Sequence, residues 1–262
     1  MNWSMRFLGV GNAEARALGS AAAVLESDGL PVLLIDCGPG TLARYREIYG
    51  RDPEALYITH THSDHIGDLE SLFYRCAFDP ALRGRVRVYV PVDVIALLHR
   101  KVAELGNWLA EGGANYWDVL QLVVVGDRFW HAGWQFESVE VRHHAPRWCF
   151  GLRLPGSFVY TSDTRPIPEV LRHVANAGET VFHDVALHAN PSHSGVEELE
   201  REYPESLRLR MWLYHYASDT DAEILRTRGW QVATANTPIK LPDPLPAASA
   251  AASAKWAAGE GR

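Results

Sequence analysis

The sequence has few cysteines, no excess of basic charge and no long apolar run, and each shortage excludes a class of protein. Its three cysteines are odd in number and form no CxxC pair, which favours a reducing compartment over a disulfide framework. With 25 Lys and Arg against 32 Asp and Glu, the net charge is -7, so no overall basic field attracts nucleic acid. Because no apolar stretch is long enough for a signal peptide or a membrane span, we expect a cytoplasmic protein.

The abundant residues are apolar ones, arranged in short runs. Hydrophobic residues make up 47% of the 262 positions, enough to bury a full core in one domain. Runs such as PVLLIDCG and ALYITH alternate with helical patterns such as GTLARYREIYG. Two strand-rich halves with helices outside predict a layered α/β sandwich over residues 1–243. The Ala/Ser/Gly-rich segment 244–262 has no apolar period and is predicted to be a flexible tail.

Local signals predict the ends of three elements. Gly50 follows the pattern GTLARYREIY and is predicted to cap the C-terminal end of that helix. Ser194 and Glu197 have the spacing of a capping box, which predicts a helix that starts at Ser194. The run WQFESVEVRHH is interpreted as one strand that extends to His144.

Three histidines and an aspartate crowd into six residues, HTHSDH, just after the apolar run ALYIT. Residues two apart at a strand end face the same side, so the rings of His60 and His62 can converge on one point. Where the chain turns towards the next helix, Asp64 and His65 can reach an adjacent point. A mononuclear catalytic zinc takes about three protein ligands and a water, so four donors in one loop indicate two metal ions.

A dinuclear centre needs further ligands, and three other predicted strand ends offer them. His143 and His144 follow WQFESVEV, Asp163 follows FVYTS, and His215 follows MWLY. The carboxylate of Asp163 is suited to bridging both ions. Strand parity favours His143 over His144, whereas a β-bulge would reverse that choice.

HTHSDH, taken with His143, Asp163 and His215, resembles the metallo-β-lactamase superfamily over most of residues 5 to 230, and LLIDCG with Asp36 resembles its first motif. The resemblance implies a four-layer αββα sandwich, with two mixed β-sheets flanked by helices and a dinuclear metal site at one edge. Asp36 would support the metal loop. The resemblance also implies two sets of metal ligands and a bridging aspartate. These are His60, His62 and His143; Asp64, His65 and His215; and Asp163.

VFHDVAL followed by HSGVEELE resembles the ribonuclease Z and phosphodiesterase branch, which has a His-Glu pair on a strand and His-Ser at a helix start. Here the pairs are His183 with Asp184 and His193 with Ser194, so aspartate replaces the usual glutamate. By that resemblance Asp184 orients His193, which stabilises or protonates the leaving oxygen. The predicted catalytic residues are therefore Asp64, Asp184 and His193.

The predicted function is hydrolysis by a water molecule that two divalent metal ions activate. Zn²⁺ is the expected metal, with Mn²⁺ and Fe²⁺ as alternatives, because imidazole-rich ligand sets suit all three. A phosphodiester would gain most from this site, since it is anionic, gains charge during attack and would use His193 as a general acid. A lactonase or thioesterase, a ribonuclease and a non-catalytic binding module stay open as alternatives.

The expected substrate is a small phosphodiester or nucleotide, such as a cyclic nucleotide, and no membrane partner is predicted. Folded RNA is disfavoured, because no Gly/Pro-rich basic excursion resembles the substrate-gripping arm of ribonuclease Z. The segment 108–134 is instead rich in aromatics, which could fill the core, wall a pocket, stack on a base or face the second subunit of a homodimer. They are Trp108, Tyr116, Trp117, Trp130 and Trp134.

Overall fold

The computed structural model describes residues 1–104 and 113–246, and within those ranges the strands form two sheets of seven. The strands of the first sheet, in spatial order, are β14 (Pro238–Lys240), β1 (Trp3–Gly9), β2 (Ala22–Ser27), β3 (Leu30–Ile35), β4 (Ala55–Tyr57), β5 (Arg87–Pro91) and β6 (Gln121–Val125). Those of the second sheet are β13 (Gln231–Val232), β12 (Met211–Tyr214), β11 (Thr180–Asp184), β10 (Phe158–Tyr160), β9 (Phe150–Leu154), β8 (Trp134–Glu140) and β7 (Arg128–His131).

Helices connect the strands and flank the two sheets. The α-helices in the described ranges are α1 (Thr41–Tyr49), α2 (Ser63–Ile66), α3 (Leu69–Phe78), α4 (Val92–His99), α5 (Tyr116–Val119), α6 (Pro168–Val174), α7 (Val196–Glu202), α8 (Glu205–Arg208) and α9 (Asp219–Thr227). A 3₁₀ turn spans Arg16–Leu18, and a π-helical turn spans Arg100–Glu104. None of the helices in these ranges combines the length and hydropathy that a membrane span requires.

Both sheets are mixed, as the fold prediction requires. In the first sheet β1, β2 and β3 pair antiparallel, and β3 to β6 pair parallel. In the second sheet β7 to β10 pair antiparallel, and β10 to β13 pair parallel. Parallel neighbours need long crossover connections, which the helices supply. The predicted sandwich of two mixed β-sheets flanked by helices is therefore confirmed.

Side chains that alternate along the strands divide the core into two layers. Between the sheets lies an aromatic layer that includes Phe7 and Phe182, whose ring centroids are 5.5 Å apart. On the outer face of the first sheet, Leu34 of β3 lies in a second buried cluster with Leu42 of α1 and Leu72 of α3. Each large apolar side chain that is fully buried stabilises the fold by about 1.5–3 kcal/mol. The two layers therefore hold the first sheet from both faces.

Of the two predicted helix ends, one is confirmed and one is wrong. Gly50 does cap α1: it has a left-handed conformation with φ 68°, and its N–H donates to Arg46 O over 2.9 Å. The predicted capping box is wrong by one residue, because α7 begins after Gly195 and Glu198 Oε2 accepts the Gly195 N–H over 3.0 Å. The hydroxyl of Ser194 instead donates to Thr164 O over 2.8 Å, which ties the preceding loop to the second sheet's end.

The strand predicted to extend to His144 is shorter, because β8 ends at Glu140. The chain then turns, with Arg142 N donating to Thr164 Oγ1 over 3.1 Å and Arg147 at a left-handed φ of 66°. Strand parity therefore does not determine where His143 and His144 point. Their placement depends on this turn.

The described aromatics of the Trp-rich segment contribute mainly to packing. Tyr116 is buried with its ring stacked on Phe73, with centroids 4.6 Å apart, and Trp134 packs edge-on against Trp3 at 5.3 Å. The half-buried Trp117 donates its Nε1–H to His99 Nδ1 over 3.0 Å. Trp130 is exposed on the hairpin of β7 and β8. Trp108 lies outside the described residues, as do residues 247–262 of the predicted tail.

The loop after β3 packs directly against the loop of HTHSDH. Cys37 N donates to His65 O over 2.7 Å, and Asp68 N donates to Cys37 O over 2.9 Å. A Cβ atom at Gly38 would lie only 1.7 Å from Asp64 O. The absence of a side chain at this position therefore lets the two loops meet.

We expect Gly38→Ala to lower the free energy of unfolding by about 1–3 kcal/mol, the usual cost of forcing atoms into a packed interior. Denaturant unfolding of the purified variant measures the change. Gly126→Ala is the matched control, since a Cβ there meets no heavy atom within 4 Å and its backbone needs no positive φ. Equal stability of the two variants would contradict this account of Gly38.

Candidate metal centre and active site

The HTHSDH motif lies at the carboxyl ends of the parallel strands of the first sheet, between β4 and α2. The backbone is extended at His62, with φ −65° and ψ 150°, and then turns into α2. His60 and His62 therefore precede the turn, whereas Asp64 and His65 lie within the helix. Open α/β sheets commonly bind their ligands at this edge.

Three imidazole nitrogens converge on one side of this edge. His62 Nδ1 lies 3.2 Å from His60 Nε2 and 3.0 Å from His143 Nε2. The other nitrogens of the two partners are already engaged, because His60 Nδ1–H donates to Thr59 Oγ1 and His143 Nδ1–H donates to Ser192 O, each over 3.0 Å. His60 and His143 therefore present lone pairs, and His62 Nδ1 can donate a proton to only one of them. One lone pair therefore faces another nitrogen without a proton between them. A cation bound among the three nitrogens would remove this repulsion.

A second group forms beside the first. Asp64 Oδ2 lies 3.5 Å from His65 Nε2 and 3.5 Å from His215 Nε2. His215 follows β12 in a left-handed conformation with φ 70°, held by its N–H to Val10 O over 2.7 Å. That turn directs its ring back over the ends of the two sheets.

Asp163 joins the two groups. Its Oδ2 lies 3.3 Å from His65 Nε2 and 3.4 Å from His215 Nε2 in the second group. The same atom lies 3.7 Å from both His60 Nε2 and His143 Nε2 in the first group. All seven predicted metal ligands therefore meet at one place, with the carboxylate of Asp163 between the two groups.

Unsatisfied polar atoms show that the residues present fit a metal. Among the described residues, His65 Nε2, His215 Nε2 and Asp163 Oδ1 are buried without a hydrogen-bond partner. Each such atom costs roughly 1–3 kcal/mol if nothing binds it. Nitrogen and carboxylate donors of this kind suit divalent transition metals. The cluster is therefore a divalent metal site by its donors and by its geometry.

Buried hydrogen bonds fix which ring nitrogen faces the cluster. Asp36, which is fully buried, accepts His65 Nδ1–H at Oδ2 over 2.7 Å and Thr59 N–H at Oδ1 over 2.9 Å. Thr59 Oγ1 donates to Asp36 Oδ2 over 2.8 Å and accepts from His60. Such contacts set the tautomer and raise the basicity of the ligating nitrogen. The supporting role that the family resemblance implies for Asp36 agrees with this network.

The cluster holds neutral rings, one ionised carboxylate and one ring that favours its proton: burial lowers the pKa of His65, but Asp163 and Asp36 outweigh burial and raise it well above its usual value. Burial lowers the pKa of His62 to about 4 and that of His60 well below its usual value. Burial alone would raise the pKa of Asp163, but His215 and His65 outweigh it and hold that pKa well below its usual range. His60 and His62 are therefore neutral at pH 7, which is the state in which imidazole binds a metal.

Asp184 and His193 form a hydrogen-bonded pair next to the cluster. Asp184 is fully buried at the end of β11, and its Oδ2 accepts His193 Nδ1–H over 2.8 Å. The His193 ring stacks on His215, with centroids 4.9 Å apart, and lies 5.0 Å from the ring of His143. Burial lowers the pKa of His193, but the carboxylate of Asp184 outweighs burial and raises it overall. The shorter aspartate therefore still reaches the histidine.

His183, the other member of the predicted pair, is directed away from the cluster. Its Nδ1–H donates to Asp184 O over 2.7 Å, and its Nε2 accepts from Tyr203 Oη over 2.9 Å. Its two nitrogens are thus both engaged, and its ring is hydrogen-bonded to the backbone carbonyl of Asp184.

A cavity of about 840 Å³ opens onto the cluster. The metal-side wall includes Asp64, Asp163, His193 and His215, and the facing wall is the loop over residues 12–20. Apart from histidines, Arg16 is the basic residue on the described walls of this cavity. None of the described aromatics from the Trp-rich segment is among them. Sequence reasoning missed this loop, for which the glycines of LGVG at the end of β1 were the available signal.

Comparisons with known proteins agree with this geometry. A sequence model of the anti-Pycsar protein Apyc1 matches residues 3–237. The anti-Pycsar protein Apyc1 of Saccharibacillus brassicae is 30% identical over 233 residues, which cover 86% of this chain and 94% of that protein. The metallo-beta-lactamase fold protein YhfI from Bacillus subtilis has a TM-score of 0.68 at 15% identity, over 92% of this chain and 100% of its own. A diphosphatase of the PhnP family has a TM-score of 0.69 at 18% identity, over 93% of this chain and 99% of its own.

The two mixed sheets and the joined histidine and aspartate groups define a metal-dependent hydrolase of the metallo-β-lactamase fold. The resemblance inferred from HTHSDH is thus confirmed. Within that class, the chain belongs to the anti-Pycsar Apyc1 family.

The choice between His143 and His144 becomes testable through their surroundings. His143 is buried, with Nδ1 held by Ser192 O and Nε2 directed at the cluster, whereas His144 is exposed with its ring 4.3 Å from that of His62. We expect His143→Ala to weaken metal binding by more than the roughly 10–100-fold that losing a mere orienting contact costs. We expect the His144→Ala variant to retain the metal content of the wild-type protein. Metal content after dialysis against a weak chelator measures both, and a larger loss from His144→Ala would reverse the assignment.

Proposed function

We propose that the protein uses two divalent metal ions to hydrolyse a small phosphodiester, with a cyclic nucleotide as the expected class of substrate. His60, His62 and His143 would hold one ion, and Asp64, His65 and His215 the other. Asp163 would bridge them, which is supported by the nearly equal distances from its Oδ2 to the four nearest nitrogens. Zn²⁺ is the proposed metal because imidazoles dominate the ligand set.

The chemistry divides between the ions and the chain. When bound, a pair of divalent ions lowers the pKa of water and stabilises negative charge that develops on phosphate oxygens. The chain would contribute imidazoles in fixed tautomers, neutral once metal binding displaces the extra proton of His65, and the carboxylates of Asp64 and Asp163. With two dications present, the cluster would then carry a net positive charge. An anionic substrate is therefore attracted to it.

The observation that carries the phosphodiester assignment is the pair formed by Asp184 and His193. The carboxylate accepts the Nδ1–H and raises the pKa of the ring, which favours the form with a proton on both nitrogens. The ring lines the cavity beside Asp163 and His215. A proton held there can be donated to an alkoxide leaving group, which a phosphodiester with sugar oxygens requires. A thioester has a better leaving group and needs this proton less.

The cavity also agrees with a small anionic substrate. Its volume of about 840 Å³ is within the range of small-molecule sites and holds a nucleotide, not a folded RNA. Arg16 supplies a guanidinium on the wall opposite the metal side, exposed and suited to a phosphate or a base carbonyl. With a net charge of -7, the protein attracts anions at this site only through such local charges.

We expect His193→Ala to slow hydrolysis of a cyclic nucleotide by roughly 10²–10⁴-fold, the usual contribution of a general acid. With bis(nitrophenyl) phosphate, whose leaving group needs no proton, the loss is expected to be much smaller. Metal content is expected to stay at the wild-type value. Steady-state rates on both substrates, with metal analysis of the same samples, measure these effects.

The matched control is His188→Ala, which removes an exposed histidine from the same loop and is expected to leave both rates unchanged. The wild-type protein is also assayed with lactones and thioesters. Turnover of carbonyl substrates alone by the wild-type protein would overturn the phosphodiesterase assignment. Equal losses on both phosphodiesters would remove His193 from the role of general acid.

A further inference from the structure

A second polar cavity lies at the end of the sandwich opposite the metal cluster. It has a volume of about 140 Å³, and its walls include Ala55 and Arg87, the first residues of β4 and β5. The metal cluster lies beyond the other ends of these parallel strands. The two sites are therefore separated by the length of the first sheet. Three arginines line the small cavity: Arg51, Arg85 and Arg87.

The alternation of β5 explains why one of these arginines faces the space between the sheets. Val88 and Val90 pack on the helix side of the first sheet, whereas Tyr89 lies in the layer between the sheets. Arg87 shares the face of Tyr89, because residues two apart on a strand point the same way. Its side chain therefore stands, exposed to solvent, at the open end of the sandwich.

The opposite sheet closes the cavity with His131 of β7. Its Nε2–H donates to Val32 O over 2.9 Å, and its Nδ1 accepts from Tyr89 Oη over 3.0 Å. Burial, supported by the nearby Arg87, lowers the pKa of this histidine. His131 is thus a fixed, neutral wall, and the positive charge of the cavity comes from the arginines.

Two features of the walls leave donors available to a ligand. The Tyr45 ring is buried, but its hydroxyl, which makes no hydrogen bond to another described residue, is open to the cavity. Arg85 likewise forms no ion pair within the described ranges, and the one carboxylate of the cavity, that of Glu54, pairs with Arg51. Three guanidinium groups thus face a single carboxylate, in a protein whose net charge is -7. The three arginines are exposed, so water screens their mutual repulsion, and the excess positive charge at the cavity attracts an anion.

We propose that this cavity binds a phosphate dianion, either inorganic phosphate or the phosphate monoester of a nucleotide. Planar guanidinium groups bind phosphate oxygens in a bidentate manner, and the Tyr45 hydroxyl supplies a further donor. The cavity holds one phosphate group, so the nucleoside of a monoester would lie outside it. The inference does not depend on the phosphodiesterase activity, because none of its residues belongs to the metal cluster.

Calorimetric titration of the metal-loaded protein with inorganic phosphate tests the site. Phosphate can bind both at the metal cluster and in the arginine cavity. We expect Arg87→Ala and Arg85→Ala each to weaken the binding in the cavity by roughly 10-fold or more, the value of a charge-assisted hydrogen bond, and to leave the other class of binding unchanged. Arg83→Ala is the matched control, since it removes an exposed arginine from the same connection that does not line the cavity. Turnover without added phosphate is expected to equal that of the wild type in all three variants.

Tyr45→Phe keeps the buried ring and removes only the hydroxyl, so it tests the site without loss of packing. We expect this variant to bind phosphate in the arginine cavity several-fold more weakly, while its melting temperature without phosphate stays close to that of the wild type. A parallel titration with a nucleoside monophosphate separates the two sources: tighter binding than inorganic phosphate identifies the monoester, and equal binding identifies the free ion. Identical isotherms for the wild type, Arg85→Ala, Arg87→Ala and Tyr45→Phe would overturn the proposal.

Discussion

The structure depends most on one buried carboxylate oxygen. Asp163 Oδ2 lies within 3.7 Å of four imidazole nitrogens that come from three separate segments of the chain. An ionised carboxylate in such a buried place is very costly unless positive charge compensates it. His65 can supply such charge only while its ring is protonated, and an imidazole must lose that proton to bind a metal. In the metal-loaded protein the compensating charge would therefore come from the bound cations. The fold must hold the three segments together against their tendency to relax apart.

Several features of the fold serve this requirement. Asp36, Ser162 and His215 adopt left-handed conformations at φ 62°, 58° and 70°, which are unfavourable for residues other than glycine. Such outliers cluster at functional sites, where the surrounding structure stabilises them. Hydrogen bonds from His215 N to Val10 O and from Ser162 Oγ to Thr59 Oγ1 cross between the two sheets at this edge. The sandwich thus brings its strand ends together where the cluster needs them.

The sequence predicts the local parts of this site well and the nonlocal parts poorly. HTHSDH is identifiable because its four donors lie in one short loop, and Asp163 and His215 because each directly follows an apolar strand. The prediction that the strand extends to His144 is wrong. β8 ends at Glu140, and the chain then turns where Arg142 N donates to Thr164 Oγ1, a contact between distant residues. The carbonyl of Ser192 is contributed by backbone geometry, which residue types do not encode. The wall of residues 12–20 is signalled only by the preceding glycines of LGVG. The arginine cavity joins residues that show no common pattern along the chain.

Anomalous diffraction from crystals of the zinc-loaded protein tests the central claim most directly, because it locates each ion independently of the protein coordinates. The account predicts two peaks, one on each side of Asp163 Oδ2. One should lie among His60, His62 and His143, and the other among Asp64, His65 and His215. A single peak at full occupancy, or peaks that Asp163 does not contact, would contradict the dinuclear centre.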